Sequence, residues 1–236
     1  MNGRLEQTIK AQHGRRWNLR LSERAQEQEI LDEWEPDAET LRQSYKELDH
    51  LHRWLGNRAA VLKELRRLSI GRRSRVLDIG CGQGALLRVI RARLGCEAVG
   101  IDLRGGCGQA EIVQADAVRD SLPRANAAVC VVMAHHLDPQ ALQTMIRNVE
   151  RSCDALVLLD LVRHPVPLAL FRFFVAPLLS EINAADGETS VRRAYTPAEM
   201  RSIVEAALSG CARPALEVRH AVAALWLRQV VTIRWR

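Results

Sequence analysis

"RVLDIGCGQGALLRVI", residues 75–90, decides the fold of this 236-residue chain. Its first five residues form a short apolar run of strand length. Three glycines then alternate at Gly80, Gly82 and Gly84, and the apolar residues that follow recur at helical spacing. A buried strand turning through glycines into a helix is the opening of a βαβ unit, whose turn brings backbone close to a bound ligand.

Downstream of this turn the pattern continues to alternate. Strands are expected at "EAVGID", "EIVQA", "AAVCVVM", "ALVLLDLV", "ALEVRHA" and "ALWLRQVVTIR", and helices at 85–94, 138–151 and 197–208. Continuous apolar strands interleaved with helices predict a parallel sheet covered on both faces. The last two strands, joined tightly around Ala221 to Ala224, predict an antiparallel hairpin at its edge. The fold class is therefore α/β, a Rossmann-like seven-stranded sheet, mostly parallel with a C-terminal antiparallel hairpin. Residues 163–195 interrupt the alternation after a strand's C-terminal end, where open α/β folds bind ligands, and predict a helical lid insertion.

Upstream, residues 21–66 are rich in helix formers, with Leu41, Tyr45, Leu48, Leu51 and Leu55 at three- or four-residue spacing. Pro36 and Asp37 mark a break and a helix start, and Gly56 ends that helix before "NRAAVLKELRRL" begins another. The division expected is a helical cap over residues 1–66, not folding independently, on a core of residues 67–236.

Composition narrows the partners. The 34 basic and 28 acidic residues leave a net charge of +6; residues 1–66 hold 12 of each, so the excess, 22 against 16, lies in the rest. It is diffuse, carried by 31 arginines against 3 lysines (Lys10, Lys46 and Lys63), with no basic tail or stripe. A solvated surface is expected and no nucleic-acid partner. The six cysteines (81, 96, 107, 130, 153 and 211) show neither CxxC pairing nor a histidine at zinc-ligand spacing, so reduced thiols and no metal are expected. No apolar run reaches the roughly 18 residues of a membrane span, and the first 20 residues lack a secretory signal's apolar stretch, which together point to a cytoplasmic protein.

The glycine turn differs from the dinucleotide pattern G-x-G-x-x-G, and it is preceded by Asp78. A carboxylate at the strand's end suits a cationic ligand better than a diphosphate, which favours S-adenosylmethionine, with its ammonium and sulfonium groups and no phosphate. Asp102 closes the second strand, where an acid accepts from both ribose hydroxyls. Asp116 closes the third, where its side chain and the Ala117 amide can read the adenine edge. After the fourth strand comes "MAHHLDP". Methyl transfer needs an aligned nucleophile and removal of its proton, so His135 and His136 are the catalytic candidates.

"VLDIGCGQG", "GIDL", "QADA" and "MAHHL" resemble the successive motifs of class I S-adenosylmethionine-dependent methyltransferases, across roughly residues 72–162. "ELDHLHRWLGNRAAVLKELRRL" and "DGETSVRRAYTPAEM" resemble a bacterial small-molecule subgroup found with type III polyketide synthases and related to quinone-ring methyltransferases. The cofactor set expected is Asp78, Gly80, Cys81, Gly82, Gly84, Asp102, Leu103, Asp116, Ala117 and Met133. One departure stands out: "LRGGCGQA" between the second and third strands is too short for a crossover helix, as in ribosomal-RNA ribose methyltransferases. Their lysine-aspartate-lysine-glutamate set is missing, however, as is an "NPPY" motif.

Phe171, Phe173, Phe174, Val175, Leu178 and Leu179 are expected to make the lid hydrophobic. Arg163, His164, Arg192, Arg193 and Tyr195 stand at its borders. A greasy lid with cationic donors fits an aromatic or polyketide acid or phenol. The function expected is methyl transfer to oxygen of such a metabolite by a possible homodimer. Carbon methylation of an activated ring, a nucleic-acid methyltransferase and a silent cofactor-binding partner are the alternatives.

Overall fold

The computed structural model describes residues 21–33, 37–105 and 111–236. Cys107, Lys10, Pro36 and most of the short crossover after Asp102 lie outside the described residues. Seven strands, β1 (Arg75–Ile79), β2 (Glu97–Asp102), β3 (Ile112–Gln114), β4 (Ala127–Val131), β5 (Ala155–Asp160), β6 (Ala215–Val222) and β7 (Gln229–Trp235), form one sheet in the order β3-β2-β1-β4-β5-β7-β6. β1 to β5 pair in parallel, whereas β7 runs antiparallel to both β5 and β6. The chain builds outward from β1 to β3 and then returns to the other side of β1 with β4. This leaves a crevice at the C-terminal ends of β1 and β4, the topological switch point of such sheets.

The helices are α1 (Ile30–Glu33), α2 (Ala38–Trp54), α3 (Asn57–Arg67), α4 (Ala85–Leu94), α5 (Pro139–Ser152), α6 (Pro165–Leu170), α7 (Glu181–Arg193) and α8 (Pro197–Leu208). Local chemistry sets their ends. Asp138 accepts the Ala141 N–H to start α5, with Pro139 in its first turn. Thr196 and Glu199 close a capping box on α8.

Strand residues alternate between two buried layers. Leu77, Ile79, Cys130, Leu156 and Leu158 face α5 and α8, meeting Met145, Ile146, Met200 and Ile203. Val76, Ala98, Val129, Val157 and Leu159 face α3 and α4, meeting Val61, Leu65, Leu87 and Ile90. Burial of each large side chain contributes roughly 1.5–3 kcal/mol. Helix α3, assigned by its sequence to the cap, is thus part of the layer that covers the sheet, because Val61 and Leu65 project from it into β4 and β5.

The final hairpin corrects one expectation. β7 starts at Gln229 rather than Ala224, and the turn spans Ala223–Arg228, closed by the Ala223 N–H on the Arg228 carbonyl. The apolar "ALWL" coils into a short 3-10 turn with Leu225 and Trp226 at positive φ and half exposed, so its hydrophobicity marks a turn, not a strand.

Above the C-terminal ends of the strands the N-terminal segment and the insertion form a single roof. Glu47 of α2 accepts from the Ser180 N–H and hydroxyl and from the Asn183 amide of α7. Asp186 of α7 accepts the N–H groups of Ile30 and Leu31. Arg24 donates to the carbonyls of Arg193, His135 and Leu137, tying residues 21–33 across the end of β4.

Candidate active site

The glycine turn is held by the neighbouring strand. The Gly80 and Cys81 N–H groups both donate to the Ile101 carbonyl, and the Gly82 N–H donates to Asp102 Oδ2 at 2.9 Å. At Gly80, φ is +69°, and a Cβ there would stand 2.7 Å from Met133 Cγ, so only glycine allows β1 to leave the sheet beneath Met133. Gly84, at φ +68°, opens α4, and Gly82 lies against the ring of Tyr45 from α2.

Asp78 is 2% exposed, and its Oδ2 has no hydrogen-bond partner. Burial first, and then the charge of Asp102, push its carboxyl up to about 8. It lines a cavity of about 220 Å³ with Tyr45, His52, Asn57, Gly80, Gly82 and Val132. His52, donated by α2, is a neutral imidazole, depressed by burial to about 4. Val132, a β-branched residue at φ +52°, forces the chain to bend out of β4 at the cavity wall.

Asp102 Oδ1 accepts the Arg104 N–H, leaving both carboxylate oxygens with further lone pairs. Leu103 beside it is exposed. Asp116 Oδ1 accepts the Val118 N–H, which shapes the turn after β3, and the buried Ala117 carbonyl accepts from Asn148. A buried carboxyl with one unpartnered oxygen, which a positive charge would ionise, and a glycine cradle that a Cβ would fill suit a compact cationic ligand. Asp78, Gly80, Cys81, Gly82, Gly84, Asp102 and Met133 meet around that cradle. Asp116, Ala117 and Leu103 stand at the neighbouring strand ends.

His135 and His136 follow β4 in a short 3-10 turn, with ring centroids 4.4 Å apart. His135 is buried. Its Nδ1 lies 2.7 Å from Asp160 Oδ1, and its backbone N–H donates to Asp160 Oδ2. Burial opposes a charge there, but Asp160 and Glu29 outweigh it and push the imidazole up to about 10. His136 is more open, with its Nδ1 2.8 Å from Asp32 Oδ2.

The lid residues divide. Phe171 packs on Gly187 of α7 and Val175 is buried, whereas Phe173, Phe174 and Leu178 face solvent at 61%, 65% and 81% exposure. Of the residues expected to make the lid hydrophobic, the π-helical turn Phe171–Val175 thus buries Val175 and exposes Phe173 and Phe174. Arg163 is buried and donates to the Ala194 and Leu21 carbonyls and to Glu199. His164 caps α6 through the Val166 N–H and stacks on Trp226. Arg192 pairs with Glu188, and Arg193 reaches the His136 carbonyl and Asp32. Tyr195 donates to the Leu137 carbonyl beneath the Arg24 guanidinium. These contacts hold the roof together, and Arg193 and Tyr195 do so beside the histidine pair.

Sequence reasoning did not single out Glu29, Asp32, His52 or Asp160. Asp160 carried the same signal as the other acids, a carboxylate closing an apolar strand, and Tyr45 was noted only for its helical spacing. Glu29 and Asp32 sit in a polar stretch with no motif.

A methyltransferase-domain family model matches residues 51–170, just over half of the chain. No curated protein matches the sequence. The fold is shared with the plantazolicin methyltransferase BpumL in complex with SAH, at TM-score 0.64 and 12% identity over 99% of this chain and 100% of that one. It is also shared with human N-acetylserotonin methyltransferase in complex with SAM, at TM-score 0.56 and 15% identity over 84% of this chain. The chain spans 56% of the human protein's length. A putative O-methyltransferase from Nostoc punctiforme matches at TM-score 0.51 and 14% identity, over 77% of this chain and 56% of that one. The chain belongs to the methyltransferase-domain family.

Proposed function

We propose that the protein transfers the methyl group to an oxygen of a small phenolic or polyketide-type metabolite. The observation that carries this reading is the histidine pair at the end of β4, packed under α7 of the helical roof and two and three residues beyond Met133, which covers Gly80. Bound S-adenosylmethionine supplies a methyl group already activated on a sulfonium. The chain's own task is then to hold the donor, align an acceptor and exclude water.

Asp78 meets the donor's positive end, and Asp102 accepts from its ribose while fixing the Gly82 N–H. Asp116 and Ala117 border the adenine. At the other end His136 is the member of the pair that an acceptor oxygen can approach, with a side chain 27% exposed against 1% for His135. Asp32 orients its ring through Nδ1. His135, locked between Asp160 and Glu29, positions the turn. The names of the plantazolicin and N-acetylserotonin enzymes, both of small molecules, support an acceptor of that class.

The test is incubation with labelled S-adenosylmethionine and a panel of phenols, polyketides and RNA. Label on the oxygen of a phenol, lowered at least tenfold in kcat by His136→Ala, is the expected result. Label only in RNA, or only on ring carbon, overturns it.

A further inference from the structure

We infer that Glu29, His135 and His136 form a binding site for one divalent transition-metal ion of the zinc type. Glu29 Oε1 lies 3.3 Å from His135 Nε2 and 3.6 Å from His136 Nε2, and the three donor atoms all fall within 4.8 Å of one another. Bonds of about 2.0–2.1 Å in a tetrahedral arrangement separate neighbouring ligand atoms by about 3.3–3.4 Å, close to the separations of Glu29 Oε1 from the two Nε2 atoms.

The outer contacts are those of a metal site. Each histidine directs its Nδ1 to a carboxylate, His135 to Asp160 and His136 to Asp32, so that in the neutral tautomer Nδ1 carries the proton and both Nε2 lone pairs converge on Glu29. Carboxylate partners of this kind fix the tautomer and ring orientation of metal-ligating histidines. Asp160 is itself held by the His135 and Leu161 N–H groups, and Glu29 by the Ser190 hydroxyl.

A second, independent observation points to a missing partner. His135 has a side chain 1% exposed, yet its Nε2 makes no well-formed hydrogen bond and faces only Glu29 Oε1, 3.3 Å away. The charge around the pair also calls for a cation. Glu29, Asp32 and Asp160 converge there, with Arg193 beside Asp32 and Arg24 on the His135 carbonyl as nearby guanidiniums. Two imidazoles and one carboxylate suit zinc, iron(II) or cobalt(II) better than calcium or magnesium, which favour all-oxygen sites.

Glu29 and Asp32 come from the segment that crosses the end of β4, while the histidines belong to the core, so an ion would pin that segment down. Three protein ligands leave a fourth position open. That the acceptor oxygen takes this position rests on the proposed function; the binding of the ion does not.

The experiment strips the full chain with a chelator and titrates it with Co2+ alone. One equivalent giving ligand-field bands in the visible, displaced by Zn2+, is expected. Glu29→Gln and His136→Ala, with their folding checked by circular dichroism, are each expected to weaken Co2+ by at least about 100-fold. No bands in the wild-type protein, or equal Co2+ affinity in wild type and both variants, overturns the site. The spectrum is read without an acceptor and the label assay above without added metal, so either reading can fail alone.

Discussion

Asp78→Asn tests the cofactor end most directly. Asp78 is buried, its Oδ2 has no partner, and Asp102 is the charge that acts on it, which is why its carboxyl titrates near 8. In the unfolded chain the same group titrates near its ordinary value of about 3.9. The native state thus keeps a proton that the unfolded state releases, and stability of the cofactor-free protein is present below about pH 4 and lost as pH rises towards 8. Each pH unit between the two values removes RT ln 10 of stability, so roughly 2–3 kcal/mol disappears between pH 5.5 and 7.5. Asparagine has nearly the same shape and no charge to bury, so the variant loses this component of the slope. Urea unfolding of both proteins at pH 5.5, 6.5 and 7.5 without cofactor should show the variant gaining on wild type as pH rises. A cationic donor reverses the preference and draws the carboxylate into its charged form. Calorimetry at pH 7 in two buffers of different ionisation enthalpy should therefore show release of close to one proton per S-adenosylmethionine by wild type. The variant should release none and bind at least tenfold more weakly. Parallel stability curves together with a buffer-independent heat of binding to wild type would refute the reasoning.

Gly80→Ala places a methyl 2.7 Å from Met133 Cγ at φ +69°, and a loss of about 1–3 kcal/mol in thermal stability is expected. Adding Met133→Ala should recover the steric part but not the backbone part. Asp102→Ala removes the acceptor of the Gly82 N–H and the ribose contact; direct titration should show cofactor affinity reduced at least tenfold, and unchanged affinity would exclude the ribose role. Glu47→Ala leaves the Ser180 and Asn183 donors of α7 without their acceptor. Amide exchange should quicken across residues 180–193 while β4 and β5 keep their protection; uniform quickening would mean that the roof does not move as a unit. The expected loss is about 1–3 kcal/mol.

The sequence by itself determined the sheet and the glycine cradle with the acids at the ends of β1 and β2. Alternation of apolar strands with helices is a local signal, and so is an acid at the end of a strand, since strand and turn are short enough for neighbouring residues to dictate them. "RVLDIGCGQG" therefore carried β1, the cradle and Asp78, and "GIDL" carried Asp102. The exposed "ALWL" misled because hydrophobicity reports burial only on average, and a backbone with two positive φ values cannot continue a strand. Of the surroundings of the histidine pair only Asp160, an acid closing an apolar strand, left a signal in the sequence. Glu29 and Asp32 reach His135 and His136 only after residues 21–33 fold across the end of β4, whereas Asp160 reaches His135 from the neighbouring end of β5. Such contacts join segments far apart in the chain, and no spacing or periodicity encodes them. The tertiary structure alone decided which carboxylates those two imidazoles meet.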